Sequence, residues 1–175
     1  MLRRAWILLL VAGLVVSAHP AGSRIKRLWL QWTAAAAWDA CKGESATGQP
    51  GESIAWLKIP SAQINQLVVR GVGAEELSRY PGQTAIGHAT LIMAHRDTHF
   101  RGLAKLGEGD EVCLCLRGGA RLTYRVQLIQ ICDKDDAMGF IQAQSGKECL
   151  LLVTCYPFHY IGPAPDRFVA VAVRA

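Results

Sequence analysis

The sequence predicts a mainly β fold, a barrel or a sandwich, over residues 53–175. Three observations lead there. The region holds a series of short apolar stretches set apart by turn residues, the pattern of a closed or two-layered antiparallel sheet. Only GAEELSRY and the stretch around FRGLAKL have helical character, and both are short. Arg117-Gly118-Gly119-Ala120 separates two of the apolar stretches, which is a hairpin signal.

Strands are expected in IAWLKI, NQLVVRG, TAIGHATLIMAH, DEVCLCLR, RLTYRVQLIQIC, ECLLLVTC and DRFVAVAVR. Ahead of them stand two further regions. Residues 1–20 read MLRRAWILLLVAGLVVSAHP, with two arginines before the uncharged run Ala5–Ala18. That run is shorter than the roughly 17–25 residues of a spanning helix and matches the core of an export signal. Small residues at Val16-Ser17-Ala18 suit cleavage before His19; an uncleaved signal anchor is the alternative. Either way, the leading arginines place the N-terminus in the cytoplasm and the rest outside. In residues 21–52, RIKRLWLQWTAAAAWDAC has the spacing of an amphipathic helix, lying on a membrane or against the domain. The Gly-, Ser- and Pro-containing KGESATGQPGES that follows reads as a linker.

A chain of 175 residues suits one domain with a proper core. The formal net charge of +5 does not signal nucleic acid. Five of the 19 basic residues fall in the first 27 positions, where no acid occurs, and the remainder carries 14 charges of each sign. The excess belongs to the membrane-proximal end. No G-x-G-x-x-G or P-loop pattern supports nucleotide binding. Of the six cysteines, Cys113 and Cys115 lie at period two on one strand face, where packing explains them, and Cys132 and Cys149 sit in apolar strand segments. Cys-X-Cys without a nearby His–Cys cluster is a weak metal signal, and no metal or other cofactor is expected.

Three polar groups stand at strand edges. His95 follows ATLIMA, Cys155 ends LLLVT, and Arg167 opens FVAVAV. A strand end exposes a side chain while the backbone fixes its position. A thiol, an imidazole and a guanidinium are the parts of an acyl transfer: nucleophile, proton carrier and oxyanion partner. Spacing alone does not bring the three together. The bland readings are a core thiol and a surface charge, and His88, His99 and His159 compete with His95 for the proton-carrier role.

Leu151-Leu152-Val153-Thr154-Cys155 resembles the sortase signature Thr-Leu-x-Thr-Cys, with Leu151 in place of the first threonine. AHRDTHFRGL resembles the sortase histidine segment, with Ala94 where Gly is usual, and CYPFHYIGPAPDRFVA is most similar to class D-like sortases, including those of Gram-negative bacteria that accompany one dedicated substrate. The resemblance spans residues 53–175 and implies a closed eight-stranded barrel. It implies Cys155 as nucleophile, His95 as general acid/base and Arg167 as oxyanion stabiliser, with Thr154 and Arg96 at the substrate. The implied substrate is a protein with an LPxTG-like C-terminal sorting signal, and the acyl group passes from a Cys155 thioester to an amine. The implied location is the inner membrane, single-pass, with the domain facing the periplasm or exterior. Two other readings remain: an exported Cys/His hydrolase or acyltransferase of another type, and an exported β-barrel binding module without chemistry.

Overall fold

The computed structural model describes residues 48–175; the expected signal segment and amphipathic helix lie outside them. Among the described residues no helix is long and apolar enough to cross a membrane. The strands are β1 (Ser53–Ile59), β2 (Ile64–Arg70), β3 (Gly82–Ile86), β4 (Ala89–Met93), β5 (Glu111–Leu116), β6 (Arg121–Asp133), β7 (Cys149–Tyr156) and β8 (Asp166–Arg174). They close into one barrel in the order β1-β2-β3-β4-β7-β8-β6-β5. Closure pairs β5 with β1, so the sheet has no open edge.

Most neighbours are antiparallel. The exceptions are β2–β3, joined through α1 (Ala74–Arg79), and β4–β7. The expected single strand over TAIGHATLIMAH is two strands, β3 and β4, because Gly87 and His88 turn the chain between them. Gly87 has φ +58°, and a Cβ there would lie 2.4 Å from the Ser145 carbonyl oxygen. The site thus needs glycine for both conformation and space. GAEELSRY supplies α1, and FRGLAKL supplies a 3-10 helix over Arg101–Lys105. Gly102 in that helix passes so close to the β1–β2 turn that a Cβ would lie 1.9 Å from the Ala62 carbonyl oxygen.

Alternation along each strand divides the apolar residues between two faces. Inside the barrel pack Ala55, Leu57, Ile59, Ile92, Leu114, Leu150, Leu152 and Ala170. Each large aliphatic side chain buried there contributes about 1.5–3 kcal/mol. Outside lies a second cluster, with Leu91, Leu151, Val153, Val169 and Val171 packed with Ile141 of α2 (Ala137–Ala143). This explains why LLLV is an unbroken apolar run: β7 is central and covered on both faces. Where β1, β2 and β5 meet, the Glu52 carboxylate lies 2.6 Å from Arg117 and 3.9 Å from Arg70, with its side chain only 6% exposed. Removing one partner from such a buried pair costs about 3 kcal/mol or more.

Candidate active site

The thiol sits where β7 leaves its cover. Burial is continuous from Cys149 through Thr154, and Cys155 is the first half-exposed residue. By period two it shares the outer face with Leu151 and Val153. Across the antiparallel β7–β8 ladder its register partner is Arg167. Directly opposed residues point to the same face with Cβ atoms about 4.5–5.5 Å apart.

The histidine arrives from the other side of β7. The parallel β4–β7 register ends at Met93 and Val153, and the Ala94 N–H donates to the Val153 carbonyl at 3.3 Å. The Thr154 hydroxyl then donates to the Ala94 carbonyl at 2.7 Å. These two bonds carry the alignment beyond the end of β4 and bring His95, which is exposed, alongside Cys155. Continuing that register, His95, Cys155 and Arg167 fall at matching positions on three neighbouring chain segments. Thr154, expected at the substrate, is 3% exposed, with its hydroxyl bound to Ala94. Its visible role is to lock the histidine segment onto β7.

Arg167 is half-buried, and its Nη1 donates to the carbonyls of Asp166 at 2.8 Å and Ala164 at 3.2 Å. These neutral acceptors orient the guanidinium without cancelling its charge, which favours a developing anion beside it. On the side away from Cys155, the β6 partner of Arg167 is Cys132. Burial pushes the Cys132 thiol up, and the charges of Asp136, Asp166 and Asp133 add to this against the opposing pull of Arg167.

Arg96, the other expected substrate residue, is turned to the β7–β8 connection, where its Nη2 donates to the carbonyls of Tyr160 at 2.8 Å and Gly162 at 3.0 Å. Of the competing histidines, His99 lies close enough to His95 to feel its charge. Its Nδ1 is 3.3 Å from Gln66 Oε1. Burial pushes its pKa down, and the charge of His95 adds to that shift against opposing contributions from the Arg79 carbonyl and Asp97. His99 is thereby biased to the neutral form. Among the described residues no group of three His, Cys, Asp or Glu side chains is placed to hold a metal ion.

Two features of the site escaped the sequence reading. One is α2, whose buried Ala137 and Ile141 are spaced i, i+4 behind Asp135 and Asp136, a short but usable helix signal. The other is the bond from Arg96 to main-chain carbonyls, for which no local pattern exists because its partners lie more than 60 residues away.

Comparison with known proteins agrees with this fold. The sortase domain model matches residues 57–175. Sortase D of Bacillus subtilis (strain 168) is 34% identical over 135 residues, covering 72% of this chain and 66% of that protein's length. Among solved structures, a sortase D5 transpeptidase of Clostridium perfringens superposes with a TM-score of 0.59 at 20% identity, covering 73% of this chain and 81% of the other. Sortase C of Clostridium perfringens, solved with the C-terminal cell wall sorting motif, superposes with a TM-score of 0.63 at 22% identity, covering 74% of each chain. At these identities the two structures establish the barrel, and the family rests on the domain match and the Bacillus relative. This chain belongs to the sortase family, and the Bacillus relative it resembles is a sortase D.

Proposed function

We propose that this chain is a membrane-anchored cysteine transpeptidase that cleaves the Thr–Gly bond of an LPxTG-like C-terminal sorting signal. The observation that carries the reading is the pairing of Cys155 with Arg167 across β7 and β8, with the segment after β4 that bears His95 bonded to β7 at Val153 and Thr154. His95 takes the thiol proton, and the Cys155 sulfur attacks the threonine carbonyl carbon. A C–S bond forms while the carbonyl electron pair moves to oxygen, where the Arg167 guanidinium stabilises it. The tetrahedral centre collapses, the C–N bond breaks, and His95 delivers its proton to the departing glycine amine. The product is a thioester on Cys155. An incoming amine then gives a proton to His95, attacks the thioester carbon and releases the thiolate.

Along the outer faces of β4 and β7, Leu91, Leu151 and Val153 are buried in the cluster that α2 covers, so the peptide is placed at the open end of these strands, beside partly buried Met93 and half-exposed Cys155. The solved Clostridium sortase C with a sorting motif supports this class of substrate. Anchoring rests on the two arginines and the apolar run of residues 1–20, which orient the domain outside the inner membrane.

The test uses the full chain with an LPxTG-type peptide and hydroxylamine as surrogate amine. The expected results are an acyl adduct on Cys155, located by mass spectrometry, and a hydroxamate ending in threonine. Release of only the free acid would favour the hydrolase. The absence of any Cys155 adduct, with the thiol still alkylated by iodoacetamide, would favour the binding module.

A further inference from the structure

The β7–β8 connection, residues 157–165, joins the strand of Cys155 to the strand of Arg167. Its two ends are held by the body of the protein. At the start, the Phe158 ring packs edge-on against Tyr156 and Phe168, with centroids 5.8 and 5.3 Å away. At the far end Ala164 is buried and its carbonyl accepts from Arg167, while the Pro165 carbonyl accepts from the Lys134 N–H at 3.0 Å. The middle has no such support. Tyr160 is 46% exposed and Ile161 is fully exposed, and Gly162 adopts φ +95°. Neither apolar burial nor a strand ladder holds residues 159–163 in place.

What holds them is Arg96. Its Nη2 bridges the Tyr160 and Gly162 carbonyls, and its guanidinium carbon lies 5.6 Å from the centroid of the Tyr160 ring. Three contacts thus converge on the two residues flanking the exposed Ile161. A planar guanidinium can donate and stack at once, which an ammonium cannot match. Arg96 is covalently next to His95. The chain segment presenting the imidazole is therefore tied to the loop leaving the thiol, while Arg167 grips that loop from its other end.

We propose that Arg96 is a positioning residue that clamps the β7–β8 loop as a fixed wall beside the thiol, with Tyr160 and Ile161 held outward as apolar contacts for the bound peptide. The clamp acts through loop geometry and touches neither the reacting carbonyl nor the sulfur. A mobile wall loses contacts made equally in ground and transition states, so its loss raises KM and leaves kcat nearly unchanged. The kinetic arm rests on the transpeptidase reading; the structural arm does not.

The variants are Arg96→Met, which keeps length but removes donors and charge, and Arg96→Lys, which keeps charge and donors but loses the plane. The first measurement is limited thermolysin digestion, with cleavage before Ile161 located by mass spectrometry. Arg96→Met is expected to cut about 10-fold faster there, from the loss of charge-assisted bonds, with an unchanged melting midpoint and Arg96→Lys intermediate. The second is peptide cleavage, where Arg96→Met should raise KM by about the same factor with kcat little changed, again with Arg96→Lys partly restoring it. Unchanged thermolysin cutting in Arg96→Met overturns the clamp. So does a fall in kcat with KM unchanged, which would place Arg96 in the chemical step. If wild type cleaves no sorting peptide while Arg96→Met still loosens the loop, the transpeptidase reading fails and the clamp stands.

Discussion

Two cysteine–arginine neighbourhoods in this barrel differ in what each offers a thiol nucleophile. On β5, Cys113 is 2% exposed and accepts a bond from Arg121 Nε at 2.8 Å. On β7, Cys155 is half-exposed and faces Arg167 across the ladder, but the Arg167 Nη1 is bound to carbonyls. By contact with a cation alone, Cys113 would be the better thiolate. Yet burial pushes its thiol up despite the opposing pull of Arg121, and its ladder neighbours are Lys58 and Thr123, neither of which shuttles protons near neutral pH. Cys155 has what Cys113 lacks: access for a substrate, a histidine alongside, and a guanidinium oriented by neutral groups. Reactivity follows from exposure and a proton carrier as much as from the nearest positive charge.

The sharpest attempt to break this contrast is to delete each sulfur. Cys155→Ala is expected to lower peptide cleavage by more than about 10³-fold, since loss of a nucleophile removes the covalent route. Cys113→Ala should leave the rate per folded molecule unchanged. Steady-state cleavage of an LPxTG-type peptide checks both, and appreciable turnover by Cys155→Ala would remove the β7 thiol from the reaction.

The arginines come next. Arg167→Lys keeps the charge but loses the fork that grips Ala164 and Asp166 while facing the oxyanion, so a rate loss of about 10²-fold is expected with near-normal stability. Arg121→Lys, the matching change beside Cys113, should not alter the rate. If the two substitutions had equal effects on cleavage, Arg167 would be no more than another surface charge.

Much of the contrast could be read in the sequence, and the reasons are local. Strand alternation and turn residues marked the β segments, and the LLVTC and AHRDTHFRGL patterns singled out Cys155 and His95 as candidates. The single stretch TAIGHATLIMAH concealed a turn because a Gly-His pair interrupts it without any apolar break. The bonds of Thr154 to Ala94 and of Arg96 to Tyr160 and Gly162 join residues at least 60 positions apart. Such long-range pairings leave no trace in spacing. The direct Arg121–Cys113 bond was equally hidden, although both residues flank one hairpin, because it depends on the register of β5 against β6.

Stability should separate the two thiols in the opposite sense to activity. Cys113 is enclosed, so Cys113→Ala is expected to cost about 1–2 kcal/mol through lost contacts and an Arg121 donor without its acceptor. Half-exposed Cys155 should cost less than that. Urea unfolding of both variants measures the difference, and a larger loss at Cys155 would mean that β7 depends on its thiol for packing.

The smallest expected effect is a pH dependence. Burial holds the folded-state pKa of Cys113 above its ordinary value, the charge of Cys115 adds to this, and Arg121 opposes it. A raised folded pKa means that the folded state keeps a proton the unfolded chain releases. The associated stability is therefore fully present below the unfolded thiol pKa of about 8.5 and is lost as pH rises from there through the folded value. Burial shifts Cys132, Cys149 and Tyr124 in the same direction, so the melting midpoint should fall above about pH 8.5. Cys113→Ala should make that decline shallower by removing one contributor. Arg121→Gln should make it steeper, because the cation that partly offsets burial is gone. The measurement is the melting midpoint against pH for wild type and both variants. Opposite changes in slope would show that Arg121 only moderates a buried thiol. A shallower decline in Arg121→Gln would mean that the guanidinium, not burial, governs Cys113, and the contrast with Cys155 would lose its basis.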